Sequence, residues 1–120
     1  MTALTTHSGV ASVVAALVAS VTRPQWVQYG VGSGQGASAV KLASPAQNRV
    51  VGITSQQTTF FAGDTYRITG TITADAVRDI TEVGVFVDAT GDTLAFYGDF
   101  DVVTVNNGDT IDFTIDVVME

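Results

Sequence analysis

The chain has 120 residues, no cysteine, 46% hydrophobic residues and a formal net charge of −7. That length suits one domain with a core of its own, and the lack of cysteine excludes disulfide frameworks, thiol nucleophiles and the usual zinc ribbons. Five scattered basic residues make a poor phosphate-neutralising surface, so nucleic acid is not an expected partner.

Residues 1–63 carry Arg23, Lys41 and Arg49 and no acid, a charge of +3, whereas residues 64–120 carry all twelve acids against Arg67 and Arg78, a charge of −10. A chain divided in this way can associate head to tail, or lay its acid-free half on another protein while the acidic half faces water. The plainer reading is that the acids keep an apolar β-protein soluble.

In chain order, residues 1–7 read as a short polar arm. Val10, Val13, Val14, Leu17, Val18 and Val21 then recur at the spacing of one apolar helical stripe, with Thr6 or Ser8 available as the N-cap. The opposite face is small rather than charged, so a second surface can approach it. No basic segment precedes this run, which serine interrupts and which is too short to cross a bilayer; neither a secretory signal nor a membrane partner is expected. Arg23-Pro24 ends the helix. Residues 25–31 alternate as a first strand, and residues 32–38 form a Gly-rich loop that formally matches a dinucleotide fingerprint. The following residues hold Pro45 and are too few for a crossover helix, so a flexible surface turn is preferred and no cofactor is expected.

Residues 49–61 have strand-like ends joined by a polar middle at 54–59. Residues 65–74 alternate strictly, with Tyr66, Ile68, Gly70 and Ile72 on one face and a row of threonines on the other. The two arms around residues 88–92 form the central β-hairpin. In its first arm Val83, Val85 and Val87 share one face and Ile80, Glu82, Gly84 and Phe86 the other; with both faces largely apolar, the arm reads as an interior strand. Residues 101–105 read as a short connecting strand, residues 106–109 as a tight turn, and residues 110–119 as a last strand with Ile111, Phe113, Ile115 and Val117 inward. Seven or eight strands after one leading helix predict a mainly β fold, a two-sheet antiparallel β-sandwich with jelly-roll order as one admissible connectivity. The expected division is an arm and amphipathic helix at 1–22 and a sandwich at 23–120, within a single domain.

Reaction chemistry is hard to find. His7 is the only histidine and has no evident partner, and neither Ser8-Gly9 nor residues 32–34 make a nucleophile elbow. Asp88 with Asp92, and Asp99 with Asp101, lack the acid count of a dedicated calcium loop, so no metal site is expected.

The segments WVQYGVGSG, ITEVGVF, TLAFYGDF and NNGDTIDFTI, which follow a small-residue helix in this order, resemble a family of small tailed-bacteriophage virion proteins. The resemblance covers most of residues 8–118, with ITEVGVF and NNGDTIDFTI carrying most of it. It implies a non-enzymatic virion structural protein: a capsid decoration (cement) protein on the outer surface of the head, partnered by the major capsid protein and by copies of itself, expected as a trimer. A tail-tip or fibre adaptor that binds a receptor is the alternative, with tail proteins as partners. A carbohydrate-binding β-sandwich is a further one, using Trp26, Tyr29 and Tyr97 as stacking faces. Val10, Val13, Val14, Leu17, Val18, Val21, Trp26 and Tyr29, with the loop at 32–47, are the expected protein-contact residues.

Overall fold

In the computed structural model, residues 2–119 are described. Helix α1 (His7–Ala19) is followed by seven strands: β1 (Trp26–Gly30), β2 (Val50–Val51), β3 (Ile53–Gln57), β4 (Thr65–Thr73), β5 (Arg78–Phe86), β6 (Leu94–Val105) and β7 (Thr110–Val118). They form two antiparallel sheets, one ordered β2-β1-β5-β6 and the other β3-β4-β7. This is the expected two-sheet arrangement with one short N-terminal helix.

Thr6 caps α1, its hydroxyl accepting the Gly9 N–H at 3.1 Å. The helix therefore starts at His7, which belongs to its first turn and not to a polar arm; Met1 lies outside the described residues. The helix also stops earlier than the apolar stripe predicts. Ser20 is extended, and the Arg23 guanidinium donates to its carbonyl at 2.6 Å and to the Thr54 hydroxyl at 2.9 Å, tying the helix C-terminus to β3. Val21 is left beyond the helix, 93% exposed. Val10 and Val14 belong to the same core as the sheets, so helix and sandwich share one hydrophobic interior.

That interior lies between the sheets. Val27 and Tyr29 face Tyr66, Ile68 and Ile72 across it, and Val83 and Val85 complete it from β5. On β4 the alternation holds as read, except at Thr65, which is buried with its hydroxyl satisfied by donating to the Asp64 carboxylate at 2.8 Å. The polar residues 54–57 are strand and not a connector: β3 is an edge strand, and its backbone pairing with β4 needs no apolar side chain. Phe60 and Phe61, read as a strand end, lie outside any strand. Between β2 and β3 the chain crosses from one sheet to the other at Gly52, whose N–H donates to the Gln25 carbonyl at 2.6 Å. One long side of the sandwich is thereby closed.

The central hairpin forms as expected, with Arg49 donating to the Asp88 and Gly91 carbonyls at 3.0 and 2.7 Å and stacking over Phe86. Gly91 and Gly108 take φ of 95° and 90° in the turns that bound β6, a region that L side chains avoid. Residues 101–105 are not a separate strand but the continuation of β6, which runs twelve residues. A register irregularity between Ile80 and Glu82 reverses the facing of β5 there. Ile80 consequently joins Val83 and Val85 in the core, and does not share the face of Glu82.

Candidate protein-contact surfaces

The second face of β5 is covered by residues 31–47, which cross the outside of the larger sheet as a strap. Leu42 is fully buried there against Gly84, and Glu82 is fully buried beside it. The Glu82 carboxylate accepts the backbone N–H groups of Gly32 at 3.0 Å, Ala43 at 3.0 Å and Ser44 at 2.8 Å, and the Tyr97 hydroxyl at 2.9 Å. Each oxygen takes two donors, which fills the acceptor capacity of an ionised carboxylate. Burial and this carboxylate push the Tyr97 phenol up. Gly30 is required under the clamp, since a Cβ there would stand 2.4 Å from Glu82 Oε2 and 2.6 Å from the Ser44 carbonyl oxygen. The loop that resembles a dinucleotide fingerprint therefore turns the Gly32 N–H to Glu82, and no helix follows it. It is a fastened strap, not the flexible turn expected. Gln47 secures its far end: its Nε2 donates to the Thr73 carbonyl at 2.9 Å, and its Oε1 accepts from the Tyr29 hydroxyl and Arg78.

A second carboxylate holds the loop at residues 59–61. Asp64 accepts N–H bonds from Thr59 at 2.8 Å, Phe60 at 2.9 Å and Phe61 at 3.2 Å, and His7 stacks on Phe61 at 3.8 Å between ring centroids. Burial alone would push the Asp64 carboxyl up, but the donors from Phe60, Thr59, Thr65 and Phe61 outweigh it and hold it well below the usual carboxylate range. Hydrogen bonding from Arg67 lowers Asp116 in the same sense. Groups with folded values below their unfolded ones contribute stability that is complete above the unfolded pKa of about 4 and is lost as pH falls through the folded value. The denaturation midpoint is expected to be level from pH 7 to about 5 and to fall below about pH 4. An Asp64→Asn variant should be less stable at neutral pH and flatter in acid; urea titrations across that range check both.

The long side opposite Gly52 is open. The smaller sheet has three strands and the larger has four, so β6 lacks a strand facing it, and a groove of about 820 Å³ runs between β6 and β7. Its walls are Val85, Leu94 and Phe96 on one side and Ile115 and Val117 on the other, with residues 35–39 of the strap along one rim. The inward residues of β7 are accordingly only half-buried. Outward on β7, Asp116 pairs with Arg67 at 2.7 and 2.9 Å and Asp112 accepts the Thr71 hydroxyl at 2.7 Å.

The expected contact residues do not form one surface. Val10, Val14 and Tyr29 are sealed in the core at 4%, 0% and 0% exposure, so none of them can meet a partner. The helical period identifies an apolar face but not what covers it, and here the chain's own sheets do. Tyr29 lies on an interior strand with its ring edge-on to Phe113. Leu17, Val18 and Trp26 are half-buried, whereas Val13 and Val21 are open to solvent at 57% and 93%. Exposed apolar residues missed by the sequence reading include Leu4, Ile53 and Phe60, at 91%, 74% and 73%, and, in the acid-bearing half, Val77 and Val102 at 67% and 59%. Among the described residues no group of three His, Asp or Glu side chains converges as a metal-ligand set, and no helix is long and apolar enough to cross a membrane. Comparison with known proteins shows no match, whether to a family model, a curated protein or a solved structure. What the geometry defines is a β-sandwich with two clamped loops, an open lateral groove and several exposed apolar residues.

Proposed function

We propose that the chain is a non-enzymatic adhesive protein of a phage virion, a capsid decoration protein that lies on the outer surface of the head and ties neighbouring capsid subunits together. The observation that carries this reading is the placement of Leu4, Val13, Val21 and Phe60, all exposed and all within the 63 residues that contain no acid. Uncharged apolar side chains presented to solvent suit burial against another protein. Both buried carboxylates are saturated by donors from this same chain, which gives them a structural task. The resemblance of ITEVGVF and NNGDTIDFTI to tailed-phage virion proteins supplies the setting. A tail adaptor uses the same surfaces, and copy number in purified particles separates the two: many copies for a head protein, few for a tail part. The carbohydrate reading is weaker, because Tyr29 is buried and the Tyr97 hydroxyl is engaged by Glu82.

The test is co-sedimentation of the purified protein with phage heads that lack it. A Val13→Asp, Val21→Asp variant changes two exposed positions and is expected to keep the wild-type melting temperature. Its affinity for heads should fall at least about tenfold, the effect of losing one modest interface anchor. Equal binding by the variant would refute the contact assignment.

A further inference from the structure

The open groove has the form of a missing strand. β7 is paired with β4 along its nine residues, and on its other side lies the groove opposite β6. An added strand there would make the smaller sheet four-stranded, match it to the larger one and cover the half-buried side chains of Ile115 and Val117. Charge narrows the choice of strand. Pairing β7 with β7 of another copy would set Asp112, Asp116 and their counterparts along one seam, and like charges across strands are destabilising. An acid-free extended segment meets no such repulsion.

Residues 2–6 supply one. They have no regular structure, every one of them is exposed, and their sequence Thr-Ala-Leu-Thr-Thr alternates so that Leu4 shares a face with Thr2 and Thr6. They stand outside the groove of their own chain, with Leu4 91% exposed. We propose that residues 2–6 of one copy add to the free edge of β7 in a second copy, with Leu4 seated in the groove between Ile115 and Phe96. Five extended residues span about 17 Å, roughly half the length of β7. The contact joins two different surfaces, so repeating it closes a ring or extends a filament, and a ring of three is the trimer expected from the sequence. This deepens the self-association part of the reading above.

The natural sequence has no cysteine, which makes directed cross-linking clean. A Leu4→Cys chain is mixed with an Ile115→Cys chain under mild oxidation, with Val21→Cys, equally exposed, replacing Leu4→Cys as the control. The expected product is a two-chain species that requires both variants and is absent from the control. The Leu4→Cys, Ile115→Cys double variant is run beside it at low concentration; closure within a single chain, with no two-chain product on mixing, would show that each arm fills its own groove and overturn the proposal. Sedimentation of unmodified protein gives an independent readout. The wild type should form an oligomer and Leu4→Asp a single chain of 12.5 kDa with unchanged melting temperature. A wild type that stays a single chain, or an oligomer that Leu4→Asp leaves intact, would equally overturn it. Only purified chain is used, so failure here leaves binding to phage heads, measured separately, standing.

Discussion

Replacing Glu82 with alanine is expected to lower stability by about 3 kcal/mol or more, enough to move the thermal midpoint of a domain this size by roughly 10 °C. The carboxylate is fully buried and takes four donors, three of them backbone N–H groups of the strap. Truncation removes the acceptors and leaves Gly32, Ala43 and Ser44 with donors facing a void, and the cost of orphaned buried donors exceeds the net value of the bonds themselves. Glu82→Gln keeps the volume but turns an NH₂ group toward backbone N–H donors, so it should rescue little. Thermal denaturation followed by circular dichroism measures both variants, and hydrogen exchange should show residues 32–44 losing protection before the sheets do. A Glu82→Ala protein that melts within about 2 °C of wild type would mean that the clamp contributes little.

Removing residues 1–22 is expected to cost the chain its cooperative fold. Sequence reasoning sets these residues apart from the sandwich as an arm and a contact helix, yet Val10 and Val14 lie in the core, with Leu17 and Val18 packed against it. Burying a valine contributes about 1.5–3 kcal/mol, so two of them account for about 3–6 kcal/mol before the flanking residues are added. Domains of this kind are stable by only about 5–15 kcal/mol. The truncated chain should therefore show weak, non-cooperative melting and poorly dispersed amide resonances, and loss of particle binding by it would say nothing of the contact surface. A sharp melting transition in the truncated chain would show instead that the sheets suffice. Val13 and Val21, exposed and outside the core, are the positions at which contact and folding can be separated.

The sequence was legible wherever a local period decided the outcome. The cap at Thr6, the alternation of Tyr66, Ile68 and Ile72 and the turns around Gly91 and Gly108 depend on neighbours a few residues away. What stayed hidden depends on residues far apart in the chain. Glu82 is bound by Gly32 across fifty residues, and no pattern within ITEVGVF announces that bond, although an acid on a strand read as buried on both faces was a signal that it needed donors. The fate of the helical stripe was hidden for the same reason. Periodicity shows that Val10 and Val13 both lie on an apolar helix; only tertiary packing shows that the first is buried and the second exposed. The polar run at β3 misled because an edge strand is specified by its partner's backbone more than by its own side chains.

The order of strand pairing also sets when this molecule can form. β1 waits for β5, joining Trp26 to Phe86, and β4 waits for β7, joining Thr65 to Val118. Pairings between such distant residues are slow, and neither sheet can be completed while the chain is still short. During synthesis the ribosome must therefore release nearly all of β7 before the interior closes, and until then the inward faces of the valine-rich strands lack the cover that β7 completes.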